Sequence, residues 1–323
     1  MLGYFGLKTV EGEENPDRMS NLEDKFLNKK FWFFMKYPPP PHQSPSKPLF
    51  IPPVGACDAH VHVFGPSSVF PYHSDTTYTP VDAPKEKLRG LHEHLGFDRS
   101  VIVQATCHGT NNSATLDAIA SSEGRWRGVA IVDENFTETD FEKLHAGGIR
   151  GIRFSFARHL SGPPNFDRVH RIAEKIDGLG WHLVIYIEAE DIVEFNADLR
   201  KFKLPVVFDH MVRVKVANGL HSKPFQLLLD FMRNEDVWVK ISCAERLTQM
   251  GEPYEDVVPF AQAVIETNSD RVLWGTDWPH PNLWEGMPDD GHLVDLIPRY
   301  APDASLQRKL LVENPVNLYG FCD

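Results

Sequence analysis

Eight short runs of apolar, mostly β-branched residues recur along this chain, and a longer helix-like stretch follows each of them. Continuous apolar runs are typical of parallel strands that are buried on both faces. Eight strand–helix units spread over about 265 residues match the size of a (β/α)8 TIM barrel. An open, doubly wound sheet is the alternative, but no glycine-rich nucleotide loop follows any run, which favours the barrel. The predicted strands cover residues 56–64, 100–106, 127–133, 150–156, 182–189, 205–211, 237–243 and 272–278.

Composition excludes several classes of partner. The 323 residues carry a net charge of −12, which argues against nucleic acid, because phosphate binding needs a basic surface. No apolar run is long enough to span a membrane. Four widely separated cysteines without a Cys-x-x-Cys pair fit a reducing compartment. We therefore predict a cytoplasmic protein, a monomer or homodimer, that binds neither nucleic acid nor membrane. A small anionic substrate is still compatible with the negative net charge, since a few arginines in a pocket can make the local potential positive.

The N-terminal segment differs from the rest of the chain. Residues 1–35 mix charged residues with the aromatic cluster at 31–34, and prolines at 38–41 begin a stiff, extended stretch. We predict a flexible extension over residues 1–48 and a barrel domain over residues 49–323. Met19 and Met35 are alternative starts, and an aromatic docking arm for a second subunit is the alternative role.

Two histidines stand two positions apart at the end of the first apolar run. Residues 58–62 read Asp-Ala-His-Val-His, and residues two apart on a strand point to the same face. His60 and His62 therefore present two imidazoles together, and imidazole is both the commonest metal ligand and a common general base. The last run also ends in an acid and a histidine, Asp277 and His280. Because barrel enzymes place their chemistry at the C-terminal ends of strands, these residues indicate an active site there.

Polar side chains that could bind anions or transfer protons follow other runs as well. Arg153 lies within an otherwise apolar run, and an unpaired buried guanidinium is costly, so a buried carboxylate or a bound anion is expected beside it. Because Lys240 stands between Val239 and Ile241, the sequence does not determine which face of the strand its side chain is on. The other candidates at strand ends are Thr106, Cys107, His108, Arg158, His159, Tyr186, Glu188, Asp209, His210, Arg213, Ser242, Arg246 and Asn282.

Seven phrases of the sequence combine into one recognisable pattern. They are Asp-Ala-His-Val-His-Val-Phe-Gly-Pro at 58–66, His-Leu-Gly-Phe at 94–97, Val-Ile-Val-Gln-Ala-Thr-Cys-His-Gly-Thr at 101–110, Gly-Ile-Arg-Gly-Ile-Arg-Phe at 148–154, Val-Ile-Tyr-Ile-Glu-Ala at 184–189, Asp-His-Met at 209–211 and Trp-Gly-Thr-Asp-Trp-Pro-His-Pro-Asn at 274–282. Together they resemble the amidohydrolase superfamily, and within it the group of 2-pyrone-4,6-dicarboxylate lactonases. The resemblance runs from Ser44 to Gly320. The first and last phrases mark the superfamily, whereas the run at 104–110 and Pro-Asp-Asp-Gly at 288–291 are specific to the lactonase group.

The resemblance implies a hydrolase that opens the ester bond of an anionic lactone in aromatic-compound catabolism, with 2-pyrone-4,6-dicarboxylate as the first candidate. It implies that Asp277 is the general base that activates water. Neighbouring groups would stabilise the oxyanion and hold the substrate carboxylates. The matching positions are His60, His62 and His210 around the carbonyl, Tyr186 and His280 as hydrogen-bonding groups, Arg153, Arg213 and Arg246 for carboxylates, and Tyr78, Thr106, Arg158 and Asn282 as further substrate contacts.

The resemblance also bears on metal and on substrate. Most amidohydrolases bind divalent ions, but Arg153 and Tyr186 stand here where the superfamily has metal ligands, and the lactonase group works without metal. We expect no required cofactor; zinc or manganese on His60, His62 and Asp277 is the alternative. In the lactonase group a second substrate arginine is expected six residues after Arg153, where this chain has His159. A 4-sulfomuconolactone hydrolase, an aldonolactone hydrolase and a metal-dependent decarboxylase of the superfamily therefore stay open as alternatives.

Overall fold

Residues 38–156, 164–234 and 236–322 are described in a computed structural model of the chain. They contain eight parallel strands, each paired with the next in chain order, which confirms the predicted TIM-barrel architecture. The strands are β1 (Cys57–Val61), β2 (Arg99–Val103), β3 (Trp126–Ala130), β4 (Ile149–Ser155), β5 (His182–Tyr186), β6 (Val206–Phe208), β7 (Val237–Ile241) and β8 (Val272–Trp274). Most of them are shorter than the predicted runs, because the chain leaves the strand conformation where the polar residues begin.

Helices surround the strands, as the amphipathic stretches predict. Among the described residues, nine α-helices lie between consecutive strands and four follow the last strand. The helices are α1 (Lys85–Leu95), α2 (Ser113–Ala120), α3 (Glu138–Ala146), α4 (Phe166–Lys175), α5 (Ala189–Glu194), α6 (Asn196–Leu199), α7 (Lys223–Phe231), α8 (Ala244–Leu247), α9 (Val258–Thr267), α10 (Asp290–Asp295), α11 (Ile297–Tyr300), α12 (Ala304–Arg308) and α13 (Asn314–Tyr319).

Backbone hydrogen bonds join β1 to the segment that follows β8 and so close the barrel. The amide of Asp277 donates to the carbonyl of His60 at 2.9 Å, and the amide of His62 donates to the carbonyl of Trp278 at 2.7 Å. The two strands approach each other closely at Gly275, where a Cβ would lie 2.6 Å from the amide nitrogen of His60. This seam brings the first and the last polar phrases of the sequence together.

A β-bulge in β1 turns the two histidines into the barrel. Cys57 and Ala59 belong to the apolar cluster inside the barrel, whereas Val61 belongs to the cluster between the strands and the helices. The register of β1 against β2 shifts between Asp58 and Val61. Since strand side chains alternate between faces, this shift is what lets His60 and His62 face inward above Ala59.

Small β-branched side chains fill the lower part of the barrel. Val101, Val103, Val129 and Val184 are fully buried in this interior cluster. Tyr319 and Phe321, which follow from α13, belong to the same cluster, and the guanidinium groups at the starts of β2 and β3 lie over the Phe321 ring. Within the part of the chain that the structure describes, these side chains close the N-terminal end of the barrel, and the cavity in line with its interior opens at the other end.

The described residues before the barrel contact it at several places, among them His94, whose Nε2 lies 3.0 Å from the carbonyl oxygen of Pro45. The amide of Ser46 donates to the carboxylate of Asp289 at 2.9 Å. Residues 1–37, with the aromatic cluster at 31–34, lie outside the described residues, so the predicted extension stays a prediction. Within the described ranges, every helix is too short or too polar to cross a bilayer.

The seam at Gly275 generates a stability prediction. We expect Gly275→Ala to lower the free energy of unfolding by about 1–3 kcal/mol, because the added methyl group forces the two strands apart. Gly90→Ala is the matched control: Gly90 lies in α1 with open space where its Cβ would be. There the same change is expected to stabilise the protein by about 0.5–1 kcal/mol. Guanidinium unfolding of both variants measures the difference, and equal effects would contradict this account of the seam.

Candidate active site

A cavity of about 430 Å³ opens at the C-terminal ends of the strands. Its position is the one at which barrel enzymes place their active sites. Three arginines and two acids border it, together with aromatic, hydroxyl and imidazole groups. The lining residues are His62, Tyr78, Ala105, Thr106, Arg153, Tyr186, Glu188, His210, Arg213, Arg246, Asp277, Pro281 and Asn282.

One carboxylate oxygen is the focus of the imidazole groups. Oδ1 of Asp277 lies 3.2 Å from Nε2 of His62, 3.4 Å from Nε2 of His60 and 3.8 Å from Nε2 of His210. The other oxygen, Oδ2, accepts a hydrogen bond from the guanidinium of Arg246 at 3.3 Å. Asp277 is therefore held from both sides while it still borders the cavity.

The surroundings of Asp277 keep it ionised. Burial by itself raises the pKa of this carboxyl, but the hydrogen bond with His62 and the electrostatic influence of His210 and Arg246 outweigh it. The pKa of Asp277 consequently lies well below its usual range. Burial lowers the pKa of His210 to about 4, so its ring is neutral at pH 7. An ionised acid beside a neutral imidazole is suited to accept a proton from water.

A second buried carboxylate, Asp209, lies beneath the cavity among cationic groups. Its Oδ2 accepts a hydrogen bond from Nε of Arg153 at 2.9 Å, and its Oδ1 lies 3.2 Å from Nζ of Lys240. Nδ1 of His60 is 3.3 Å from the same Oδ1. Burial raises the pKa of Asp209, but Lys240, His60 and Arg153 together hold it well below its usual range. Asp209 is thus the carboxylate partner that the position of Arg153 predicts.

The arginines at the cavity are positioned by their neighbours. Arg213 donates to the hydroxyl of Tyr186 at 3.0 Å and to the carboxylate of Glu188 at 3.2 Å. The guanidinium carbon of Arg153 lies 4.8 Å from the centre of the Tyr186 ring. Arg246 also donates to the carbonyl of Pro281 at 2.9 Å. These contacts fix the guanidinium groups around one volume, which is the arrangement that recognises an anion with several oxygens.

Left-handed backbone conformations place several of these side chains. His210, Met211, Val212 and Arg213 all have φ between 48° and 52°, and Asp277 has φ of 67°. Non-glycine residues rarely adopt this region, and each instance costs about 1–3 kcal/mol unless the surroundings enforce it. The turn after β6 thus directs both His210 and Arg213 towards the cavity.

The structure brings most of the predicted site residues together. Two predicted residues lie behind the cavity wall: His60, beneath Asp277, and His280, whose Nε2 is 3.2 Å from Oδ1 of Asp290. Arg158 and His159 lie outside the described residues. Sequence reasoning missed the link between Lys240 and Asp209, although a charged residue inside a buried apolar run was a usable signal. The predicted residues that border the cavity are Tyr78, Thr106, Arg153, Tyr186, His62, His210, Arg213, Arg246, Asp277 and Asn282.

Spacing alone would accommodate a divalent cation, because donor atoms of His60, His210 and Asp277 lie within 4.8 Å of one another. The chemistry of the surroundings does not fit one. Nζ of Lys240 lies 3.0 Å from Nδ1 of His60, and Arg246 already occupies Oδ2 of Asp277. Two side-chain cations in contact with the ligand groups oppose a third, doubly charged one.

Comparisons with known proteins agree with this geometry. The amidohydrolase family matches the chain over residues 57–321. A 2-pyrone-4,6-dicarboxylate hydrolase of Comamonas testosteroni is 50% identical over 86% of this chain and 94% of its own. A 4-sulfomuconolactone hydrolase of Rhizobium radiobacter is 41% identical over 87% of this chain and 96% of its own. A structure from Acinetobacter baumannii with citric acid bound has a TM-score of 0.72 and 25% identity, covering 83% of this chain and all of that one.

The charge cluster beneath the cavity generates a prediction. We expect Asp209→Asn to lower the free energy of unfolding by about 3–5 kcal/mol, because Lys240 and Arg153 then stay buried without their carboxylate. The control is Asp230→Asn, since Asp230 pairs with Arg200 at 2.6 Å on the surface. The free energy of unfolding of the Asp230→Asn variant is expected to stay close to the wild-type value. Denaturant titrations compare the two, and an equally mild effect at Asp209 would contradict a structural role for the buried cluster.

Proposed function

The chain belongs to the amidohydrolase family, and we propose that it hydrolyses the ring ester of an anionic lactone, with 2-pyrone-4,6-dicarboxylate as the substrate. The observation that carries this proposal is the cavity itself: an ionised Asp277 faces imidazoles on one side, and three arginines border the same volume. A lactone with acid groups needs both features, a base for water and cations for its carboxylates.

In the proposed reaction, Asp277 takes a proton from a water molecule as that water attacks the lactone carbonyl carbon. His62 and His210 border the cavity next to Asp277, so they stabilise the negative charge that develops on the carbonyl oxygen. The tetrahedral intermediate then releases the ring oxygen, which receives the proton from Asp277. Water is added across one ester bond, so the product carries one more carboxylate and no oxidation takes place.

The low pKa of Asp277 has a consequence for this step. The contacts that keep the carboxylate ionised also make it a weak base, and Arg246 is one of them. A substrate carboxylate that binds Arg246 competes for that guanidinium and so raises the basicity of Asp277. Substrate binding and base activation are coupled in this way through one arginine.

The remaining predicted residues take roles as substrate contacts. We assign Arg153 and Arg213 to the carboxylates, and Tyr186, Tyr78, Thr106 and Asn282 to hydrogen bonds within the cavity. Burial raises the pKa of Tyr186, so its hydroxyl keeps its proton and can donate it in a hydrogen bond. His280 is assigned a supporting position, because it pairs with Asp290 behind Asp277. Arg158 stays a candidate for a substrate acid group.

The names of the relatives support an anionic lactone, and they provide a second candidate substrate. The 50% identical relative is a 2-pyrone-4,6-dicarboxylate hydrolase, and the 41% identical one is a 4-sulfomuconolactone hydrolase. Citric acid, which is bound in the similar Acinetobacter structure, is itself a polycarboxylate. A sulfonate could replace one carboxylate at the same arginines, so both lactones belong in the assay.

We propose a cytoplasmic location and a monomeric or homodimeric enzyme as well. Cys57, Cys107 and Cys243 are buried free thiols, and Cys322 is an exposed one. An exposed free thiol is best kept reduced in the cytoplasm.

The mechanism predicts a large effect at Asp277. We expect Asp277→Asn to lower kcat by about 10²–10⁴-fold with both lactones, because the variant has lost its general base. Ring opening is followed by the change in ultraviolet absorbance and by product analysis. Asp303→Asn, at an exposed position outside the cavity, is the control and should keep the wild-type rate. Full activity of the Asp277 variant would overturn the mechanism.

The proposal also predicts that no divalent metal is required. Dialysis of the enzyme against a strong chelator should leave kcat unchanged, and elemental analysis should find substoichiometric zinc and manganese. The physical reason is the contact of Lys240 with His60 and of Arg246 with Asp277, which disfavours a dication. Loss of activity in the chelator, with recovery on adding zinc or manganese, would contradict it.

A further inference from the structure

Lys240 has an unusual place for a lysine. It is the fourth of the five residues of β7 and is fully buried inside the barrel, as is His60. Its Nζ is 3.0 Å from Nδ1 of His60 and 3.2 Å from Oδ1 of Asp209. The ion pair with Asp209 stabilises the charged ammonium form in this position. An ammonium group has three hydrogens to donate and no lone pair to accept with.

We propose that Lys240 is a positioning residue that fixes His60 in the tautomer with its proton on Nε2. Nδ1 of His60 has hydrogen-bond geometry with Nζ of Lys240 at 3.0 Å, whereas its 3.3 Å contact with Oδ1 of Asp209 lacks that geometry. The nitrogen that bonds to an ammonium group has to accept, so Nδ1 carries the lone pair. A neutral imidazole has only one ring proton, which must then be on Nε2. The opposite tautomer would place an N–H against an N–H, two donors at 3.0 Å.

The fixed tautomer determines what His60 does to the catalytic carboxylate. Its Nε2 is 3.4 Å from Oδ1 of Asp277, and the ring lies beneath that carboxylate, outside the described cavity lining. Nε2–H therefore places a partial positive charge 3.4 Å from Oδ1 of Asp277, without hydrogen-bond geometry, and so favours the ionised carboxylate at that position by electrostatic attraction. The series Lys240, His60, Asp277 is thus a support for the proposed general base, and this inference rests on the proposed function for its kinetic consequence only.

The same tautomer removes His60 from any set of metal ligands. Coordination through Nε2 requires a lone pair on that nitrogen, and here it carries the proton. The spacing of His60, His210 and Asp277 suits a cation, whereas the proton on His60 does not. Lys240 would therefore be the residue that makes this member of a metal-binding fold family unable to use its first-strand histidine as a ligand.

The competing interpretation is that Lys240 is only the counter-ion of Asp209. That role would change stability on substitution but would leave the protonated nitrogen of His60 undetermined. The two interpretations separate in a spectrum, which reports the tautomer in the folded wild-type enzyme without any assay of activity.

The decisive experiment is ¹⁵N NMR of the ring nitrogens of His60 in the wild-type protein, assigned by their absence in His60→Gln. We expect a protonated, pyrrole-type Nε2 and an unprotonated, pyridine-type Nδ1. A pyridine-type Nε2 would overturn the proposal. This result is independent of the substrate, so a protein that opens no lactone but shows the expected spectrum would refute the proposed function and keep this inference.

Variants of Lys240 test the consequence. Lys240→Met removes the donor, and we expect kcat to fall by about 10²-fold with KM nearly unchanged, because the base is misplaced while the arginines still bind the substrate. Lys240→Gln can still donate an N–H to Nδ1 and should recover most of that loss. Lys143→Met, at an exposed site, is the control.

Metal binding gives an independent readout of the same variants. After incubation with zinc and desalting, the wild type and Lys240→Gln should retain no zinc, whereas Lys240→Met should retain zinc at His60. Equal kcat in the Met and Gln variants, or zinc retained by the wild type, would overturn the proposal. If Lys240→Met does not fold, the wild-type spectrum and Lys240→Gln still decide it.

Discussion

The inside of this barrel depends on one buried carboxylate. Oδ2 of Asp209 accepts a hydrogen bond from Nε of Arg153 at 2.9 Å, and Oδ1 lies 3.2 Å from Nζ of Lys240. Two cations inside an apolar barrel are tolerable only because this acid lies between them. Arg153 can then present the rest of its guanidinium to the cavity, and Lys240 can face His60. The side chains that line the cavity lie above this ion cluster.

Above that cluster, contacts between individual nitrogen and oxygen atoms determine how the imidazole and carboxylate groups are oriented. Lys240 contacts one side of His60, and Asp277 lies on the other side, at 3.0 Å and 3.4 Å. Asp277 in turn faces His62, whose Nδ1 donates to the carbonyl of Val103 at 2.7 Å. The hydrogen bonds of Lys240 with His60, and of His62 with Asp277 and Val103, thus support the groups at the cavity from behind. Such support from behind is what holds a catalytic group in a productive orientation.

The sequence predicts the barrel and most of the site because both follow from local patterns. Apolar runs, their spacing and the polar residue at each strand end are sufficient to place Asp277 and His62 at one mouth. The features that the sequence does not predict depend on contacts between residues that are distant in the chain. The bulge that turns His60 inward comes from the pairing of β1 with β2, and the partner of Lys240 comes from β6, both fixed only when the barrel closes. His280 is placed behind the wall by Asp290, ten residues later, which periodicity does not indicate.

The charge of the site also explains how an acidic protein can take an anionic substrate. The chain as a whole carries −12, yet the cavity is bordered by three arginines against the two acids Glu188 and Asp277. Glu188 is engaged with Arg213, and Asp277 with Arg246, so these contacts already pair two of the guanidinium groups in part. The carboxylates of a bound dicarboxylate would accept hydrogen bonds from the N–H groups of the arginines that these two acids leave available. Because fields fall off within about one Debye length, roughly 8 Å in physiological salt, the local arrangement outweighs the distant surface acids.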